Sequence, residues 1–137
     1  MKKLLFLAAF VLAAQVTFAQ AAAASQSSAD YAVATVDNPT HDFGKIKQGV
    51  PVTHEFVFVN KGKVPMIITN AQPSCGCTVP SWTKDPIPPG GSGFVKATFN
   101  AAAPGAFDKS VTVTANVENG VIMLRIRGEV MANTPNN

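Results

Sequence analysis

The feature that most constrains this chain is a two-residue alternation of apolar and polar side chains, interrupted by turns rich in Gly, Pro and Asn. One face of the segment 50–59 carries Val52, His54, Phe56 and Phe58. A period of two places alternate side chains on opposite faces of a strand, so we expect this aromatic face to point inward. The same alternation returns at 93–100, 111–117 and 122–127.

Turn signals separate these segments at a spacing of about 8 to 12 residues, as in β-sandwiches. Asn119-Gly120 predicts a hairpin, because both residues tolerate the positive φ angles of a tight turn. No helical stretch is expected downstream of the N-terminal segment. The pattern therefore predicts an all-β fold, an immunoglobulin-like antiparallel β-sandwich of about seven strands. A small closed barrel is the alternative.

The N-terminal segment has the layout of a secretory signal peptide. Two lysines and a short apolar run, residues 4–14, precede the small residues of Thr17-Phe18-Ala19. We expect cleavage before Gln20, with a site after Ala21 as the second choice. The apolar run is shorter than the roughly 20 residues that span a bilayer, so the mature chain is predicted to have no integral membrane segment. The predicted location is periplasmic or secreted.

The predicted organisation has four parts. They are a signal peptide at 1–19, a flexible leader at 20–32 without apolar periodicity, a sandwich domain at 33–131 and a disordered tail at 132–137. The chain has 11 basic and 8 acidic residues, but two of the lysines fall in the signal peptide. The mature domain is thus close to neutral, and no nucleic-acid partner is predicted.

Both cysteines lie in Ser74-Cys75-Gly76-Cys77-Thr78. Oxidation is the default for an exported protein, yet residues i and i+2 of a straight strand have Cα atoms about 6.5 to 7 Å apart, near the limit for a disulfide. Gly76 permits a bend that closes the ring, but such a small ring would be strained, easily reduced and of little value as a staple. The first interpretation is therefore a pair of inert thiols or a strained local disulfide.

Two other roles for the cysteine pair stay open. Two thiolates can hold a soft ion such as Cu(I), with His41, His54 or Met66 as a third ligand, although packing roles are more common for these three side chains. A thiol-redox role requires a low-pKa thiolate, usually beside a cation, and Lys84 is the nearest one that follows. The cofactor prediction is accordingly none, with copper in the alternative.

The remaining residues give no catalytic constellation. Trp82 is either an exposed contact residue or a plug over the end of the sandwich. Gly91-Ser92-Gly93 lacks the second glycine and the helix of a nucleophile elbow, and no phosphate loop, dinucleotide fingerprint or calcium loop is present in the sequence. We therefore predict that the protein is not an enzyme.

Six short motifs occur in order: His41-Asp42-Phe43-Gly44, Asn60-Lys61-Gly62, Ile68-Thr69-Asn70, Ser74-Cys75-Gly76-Cys77-Thr78, Ile87-Pro88-Pro89-Gly90 and Leu124-Arg125-Ile126-Arg127-Gly128. Together they resemble the secreted bacterial domain-of-unknown-function family number 1573, which is abundant in Bacteroidetes. The match covers roughly residues 36 to 130. The resemblance implies an immunoglobulin-like fold and export, and it carries over no established activity.

These observations favour a secreted single-domain binding or structural module. Its partner is predicted to be a protein or an envelope component, engaged through end loops or edge strands. The alternative is an extracytoplasmic soft-metal or thiol-redox protein that uses Cys75 and Cys77. The two hypotheses predict different results when both cysteines are replaced by serine. The binding module should tolerate the change, whereas the metal or redox protein should keep its fold but lose its ligand or its exchange activity.

The intact mass of the protein purified from its native compartment tests both export and the state of the cysteines. We expect a chain that begins at Gln20. Resistance to thiol alkylation and a mass lower than the reduced value by two hydrogens would show a Cys75–Cys77 disulfide. A chain that begins at Met1 would contradict export. Two alkylated thiols would contradict the disulfide, and a copper mass in the native spectrum would favour the metal site.

Overall fold

A computed structural model describes residues 30–134, which contain eight strands and no helix. The strands are β1 (Ala34–Val36), β2 (Thr40–Lys47), β3 (Val52–Asn60), β4 (Ile68–Pro73), β5 (Thr78–Trp82), β6 (Ser92–Phe99), β7 (Gly105–Ala115) and β8 (Val121–Met131). Sheet one has the order β1-β3-β6-β5, and sheet two has the order β2-β8-β7-β4. The predicted all-β sandwich is confirmed, with eight strands where about seven were expected. The predicted signal peptide lies outside the described residues.

The N-terminal strand is divided between the two sheets. β1 pairs antiparallel with the last three residues of β3, and the chain then crosses at Asp37–Pro39 to let β2 pair in parallel with β8. Pro39 has no N–H to lose, and the side chain of Asn38 accepts a hydrogen bond from the Thr40 N–H at 3.1 Å. The other ladders are antiparallel. Because β1 is so short, residues 52–57 of β3 have no strand paired with them on that side of sheet one within residues 30–134.

The core lies between the two sheets and follows the predicted alternation. Phe56 and Phe58 are 1% and 0% exposed, which confirms the inward aromatic face of β3. Burying an aromatic side chain of this size contributes about 1.5–3 kcal/mol. Alternate residues of the neighbouring strands complete the core: Val95, Ala97 and Phe99 of β6, Val111 and Val113 of β7, and Leu124 and Ile126 of β8.

Three parts of the chain differ from the predicted layout. β4 begins only at Ile68, and Met66 before it forms an isolated bridge with Ile87 across the two loops. Residues 78–82, for which no strand was predicted, form β5, and Pro80 is tolerated there because this is an edge strand where a missing N–H costs little. Ala32, placed in the leader by its sequence, is 1% exposed and donates its N–H to the carbonyl of Asn116 at 2.7 Å.

The turn after β3 is organised by the buried side chain of Asn60. This residue is 0% exposed, and its Nδ2 donates to the carbonyl oxygens of Val64 and Ile87 at 2.7 and 3.0 Å. Its Oδ1 accepts the N–H of Gly62 at 3.0 Å. A Cβ at Gly62 would lie 2.7 Å from the backbone nitrogen of Val33, so only glycine fits this close approach to the N-terminal segment.

Replacing Asn60 by alanine should destabilise the fold strongly. The variant leaves two buried carbonyl groups and one N–H without their side-chain partner, so we expect the free energy of unfolding to fall by about 2–4 kcal/mol. Urea denaturation measures this change. Asn70→Ala is the matched control, because Asn70 is exposed and should change stability by no more than about 0.5 kcal/mol. Equal midpoints for the two variants would contradict this role of Asn60.

Candidate functional site

Cys75 and Cys77 are joined by a disulfide at the corner between β4 and β5. Their Cα atoms are 5.3 Å apart, closer than in a straight strand, because the chain turns at Gly76. The corner is held on both sides by backbone hydrogen bonds: the Ser74 N–H donates to Ser110 of β7 at 2.9 Å, and the Asn100 N–H donates to Cys77 at 3.0 Å. The corner therefore connects the two sheets independently of its sulfur atoms.

The surroundings of the disulfide do not assemble the ligand set considered from the sequence. Neither sulfur is a free thiolate in the bonded form. Across residues 30–134 there is no group of three or more His, Cys, Asp or Glu residues arranged to hold a metal ion. Met66 is 0% exposed in the core, whereas His41 and His54 lie in β2 and β3.

Thr78 places a buried hydroxyl directly against the disulfide. The residue is 2% exposed, and its Oγ1 lies 3.9 Å from Sγ of Cys75, its one side-chain hydrogen-bond contact among the described residues. A sulfur atom in a disulfide is a weak acceptor, so this buried hydroxyl has a poor partner in the oxidised form. A thiolate at Cys75 would be a much better one, because hydrogen bonds to charged groups are stronger.

A surface cavity of about 240 Å³ opens beside Cys77. Its lining combines apolar and small residues with one cation: Cys77, Phe99, Asn100, Ala102, Ala103, Pro104, Gly105, Ala106, Phe107 and Lys109. Lys109 was missed in the sequence because strand pairing, not chain proximity, brings it there. The sequence did contain one indication of this position. Lys109 follows the inward-facing Phe107 by two residues, so its side chain lies on the same inward face, where a lysine is unusual.

Trp82 covers the side of the sandwich between β4 and β5. Its indole Nε1 donates to the carbonyl of Ile68 at 3.2 Å, which joins sheet one to sheet two, and the ring packs against the core. Lys84, the cation suggested by the sequence as a partner of the cysteines, instead lies with its Nζ 3.2 Å from the centre of the Trp82 ring. The role of Trp82 as a contact for a partner stays a prediction.

His41 and His54 meet on the opposite side of the sandwich. Their rings stack with centroids 3.6 Å apart and an interplanar angle of 5°, and Phe43 and Phe56 pack edge-on against the stack. His41 thus lies within β2, and its ring packs on a residue of the other sheet. Parallel rings do not direct two nitrogen atoms at one point, so the geometry favours packing over metal binding. Burial lowers the pKa of His54, and the nearby His41 lowers it further.

The edges of the two sheets differ in how well they are protected. β4 and β5 carry Pro73 and Pro80, which remove backbone donors from their edges. β2 is interrupted by a bulge between Asp42 and Lys45, where Gly44 has a φ of 64°. Prolines, bulges and charges of this kind discourage the addition of a further strand.

The uncovered part of β3, residues 52–57, contains no proline or bulge, and Glu55 is its one carboxylate. Asn60 directs its N–H to Gly91 beside β6, and alternate residues of a strand direct their backbone groups to the same side. Thr53, Glu55 and Val57 therefore direct their N–H and C=O groups away from β6, towards the side that β1 leaves open. A cavity of about 200 Å³ adjoins this edge, lined by Val36, Asp37, Asn38, His54, Glu55, Phe56 and Val57.

The chain belongs to the family described as "Protein of unknown function (DUF1573)", whose sequence pattern matches residues 34–130. No curated protein matches it by sequence. Within the described residues, no helix has the length and apolar character needed to cross a membrane.

Solved structures with the same fold have low sequence identity. A protein of unknown function from Porphyromonas gingivalis W83 is 14% identical with a TM-score of 0.67, over 77% of this chain and 50% of the other, so this chain spans half of that protein's length. The seventh PapD-like (ASH) domain of human CEP192 is 12% identical with a TM-score of 0.59, over 77% and 89%. The Caenorhabditis elegans MSP-domain-like protein SSP-19 is 17% identical with a TM-score of 0.50, over 72% and 99%. These likenesses establish the fold.

Acidification should destabilise the protein through His54. Because its pKa is lowered in the folded state, the unfolded chain binds more protons, and stability falls as the pH drops below about 6.5 towards the folded-state pKa. His54→Phe keeps an aromatic ring and should flatten the profile of melting temperature against pH in this window.

The contribution of Asp42 falls in a separate pH window and serves as an internal reference. The Gly44 N–H, which donates to its carboxylate at 2.8 Å, is the main cause that lowers the pKa of Asp42, and Arg127 lowers it further. Stability from Asp42 is lost only at acid pH, below its ordinary value of 3.8. If His54→Phe leaves the profile near pH 6 unchanged, the proposed role of His54 is wrong.

Proposed function

We propose that this protein is an extracytoplasmic binding module that takes an extended polypeptide segment onto the open edge of β3. The observation that carries the proposal is the early departure of β1, which leaves residues 52–57 paired on the β6 side alone in the part of the chain that the structure describes. The secretory layout of residues 1–19 supports a periplasmic or secreted location, where the partner is another envelope or secreted protein. The proposal involves no catalysis and no cofactor.

The backbone of the open edge supplies the main interaction. An added strand would pair with the outward N–H and C=O groups of Thr53, Glu55 and Val57, and each such hydrogen bond contributes about 0.5–1.5 kcal/mol. The partner would continue the line of β1, which already uses the same side of β3 from Phe58 onward. Main-chain pairing of this kind accepts many sequences, so selectivity has to come from side chains.

Two side-chain features flank the edge. Val57 is 48% exposed and lies opposite the partly exposed Phe94 in the β3–β6 ladder, so it offers an apolar contact on the outer face. On the inner side, the cavity next to His54 and Phe56 has room for a small side chain. Two apolar residues an odd number of positions apart in the incoming strand would point to opposite faces, one against Val57 and the other into the cavity.

A different polypeptide is a better occupant than a second copy of this chain. Antiparallel pairing of two β3 edges centred on Glu55 would place two carboxylates opposite each other, which is destabilising. Glu55 already has its own cation, because Lys96 lies 3.2 Å away on β6. The edge is therefore better suited to a partner with a neutral or basic residue opposite Glu55.

A proline at position 55 tests the proposal. Peptides selected from a phage-displayed library on the wild-type protein serve as the probe, and calorimetry measures their affinity. Glu55→Pro removes one outward N–H and obstructs an incoming strand, so we expect at least a tenfold loss of affinity, equivalent to about 1.4 kcal/mol. Glu55→Ala is the matched control, which keeps the N–H and loses only an exposed ion pair, and should bind within about threefold of wild type.

Amide hydrogen exchange gives a second readout that needs no variant. Bound peptide should slow exchange at Thr53, Glu55 and Val57 in the wild-type protein. Peptides that bind Glu55→Pro as well as Glu55→Ala, or that protect β5 and the end loops instead, would overturn the proposal. Thermal unfolding of both variants checks that the sandwich is retained.

A further inference from the structure

We infer that the Cys75–Cys77 disulfide is a thiol–disulfide exchange site for extended peptides that carry cysteine, with Cys77 as the sulfur attacked and Cys75 as the leaving group. The inference concerns the β4–β5 corner and does not depend on the open edge of β3. Its substrate class is a peptide dithiol in an exported protein.

A stabilising role explains this disulfide poorly. The bond links residues only two positions apart, so it removes very little conformational entropy from the unfolded chain. The corner is already fixed by the backbone hydrogen bonds of Ser74 with Ser110 and of Asn100 with Cys77. The Ser110 N–H also donates to Oγ of Ser74 at 3.1 Å. Reduction should therefore leave the corner in place and change the chemistry of the sulfur atoms alone.

The two sulfur atoms have different surroundings, which gives the exchange a direction. Cys77 forms part of the wall of the 240 Å³ cavity, where a peptide thiol could reach it. Cys75 is outside that lining and faces the buried hydroxyl of Thr78 at 3.9 Å. Because a hydroxyl stabilises a thiolate more than a disulfide sulfur, Thr78 favours Cys75 as the group that departs with the negative charge.

The cavity also offers features that suit a peptide thiolate. Ala102, Ala103 and Pro104 are small, exposed residues along its rim, so a peptide backbone can approach without displacing large side chains. Lys109 supplies a positive charge, and no carboxylate in the described part of the chain lies within ion-pair distance of it. A nearby cation raises the thiolate fraction of an incoming cysteine at neutral pH.

The Cys75–Cys77 disulfide is itself the oxidant in this exchange, so no other oxidant is needed. The peptide thiolate attacks Sγ of Cys77, a peptide–Cys77 disulfide forms, and the Cys75–Cys77 bond breaks with its electron pair on Cys75. The second peptide thiol, as a thiolate, then attacks the peptide sulfur of the mixed disulfide, and Cys77 leaves as a thiolate. The peptide is oxidised to a disulfide, and the protein is reduced to two thiols that take up the two protons released. One protein molecule oxidises one peptide dithiol.

Single-turnover exchange with a synthetic probe tests the inference. The oxidised protein is mixed with a reduced peptide that carries Cys-Ala-Ala-Cys, quenched with an alkylating reagent, and followed by mass spectrometry. We expect one equivalent of peptide disulfide per protein disulfide lost. Thr78→Val, which keeps the side-chain volume, should slow the exchange about tenfold, and Lys109→Gln about two- to fivefold. Thr112→Val on β7 is the matched control and should react as wild type does.

Two further comparisons separate the directed mechanism from simple exposure of a disulfide. Cys75→Ser, with Cys77 free in the cavity wall, should form the mixed disulfide with an activated peptide faster per thiolate than Cys77→Ser does, because Thr78 raises the thiolate fraction of Cys75 but not its access to the peptide. Ala103→Glu should slow the reaction with the peptide, because the larger side chain obstructs the rim of the cavity through which the peptide reaches Cys77. Cooperative unfolding of each variant checks its fold.

The inference fails if the peptide dithiol leaves the protein disulfide intact, or if Thr78→Val reacts at the wild-type rate. It also fails if the two single-cysteine variants react equally fast. Copper provides the last arm of the test, because reduced thiols could bind Cu(I) instead. If the reduced protein retains Cu(I) in the presence of the oxidised peptide disulfide and forms no mixed disulfide with it, the metal site replaces the exchange site.

Discussion

The crossing of the N-terminal strand from one sheet to the other determines how this sandwich is closed. A strand that stayed in sheet one would cover the whole edge of β3, and sheet two would end at β8. Because the chain crosses at Asp37–Pro39, β2 covers β8 and brings His41 across the gap to stack on His54. The cost is an incompletely covered β3. The crossing therefore explains both why the β8 edge of sheet two is covered and why part of the β3 edge of sheet one is not.

The opposite side of the molecule is closed in a different way. There the edges β4 and β5 are joined by a short corner, and Pro73 and Pro80 stand on either side of it. Trp82 ties the two edges together through the carbonyl of Ile68. Two backbone donors and one acceptor that could pair with another chain are thus removed or occupied. This side offers side-chain chemistry at its corner, whereas the β1–β2 side offers backbone pairing, so the two proposed activities fall on separate surfaces.

The sequence was informative wherever structure follows from local periodicity. The inward face of β3, the Asn119-Gly120 hairpin and the sandwich class were all predictable from alternation and turn residues. The stack of His41 on His54 and the parallel pairing of β2 were not, because they depend on which strands become neighbours. Lys109 is the clearest example: it reaches the cavity of Cys77 through the pairing of β7, and no spacing along the chain encodes that meeting.

The fold alone cannot decide among these functions, because structures at 12–17% identity share it. The choice among these functions has to rest on individual side chains, and Thr78 is the most informative of them. A buried hydroxyl normally has a good acceptor, since burial without one is costly. Here its partner is a disulfide sulfur, so the site is better satisfied when Cys75 is a thiolate than when it is oxidised. A corner selected only for stability would favour the opposite, with valine in this place. The polar residue is therefore the strongest physical reason to regard the corner as reactive.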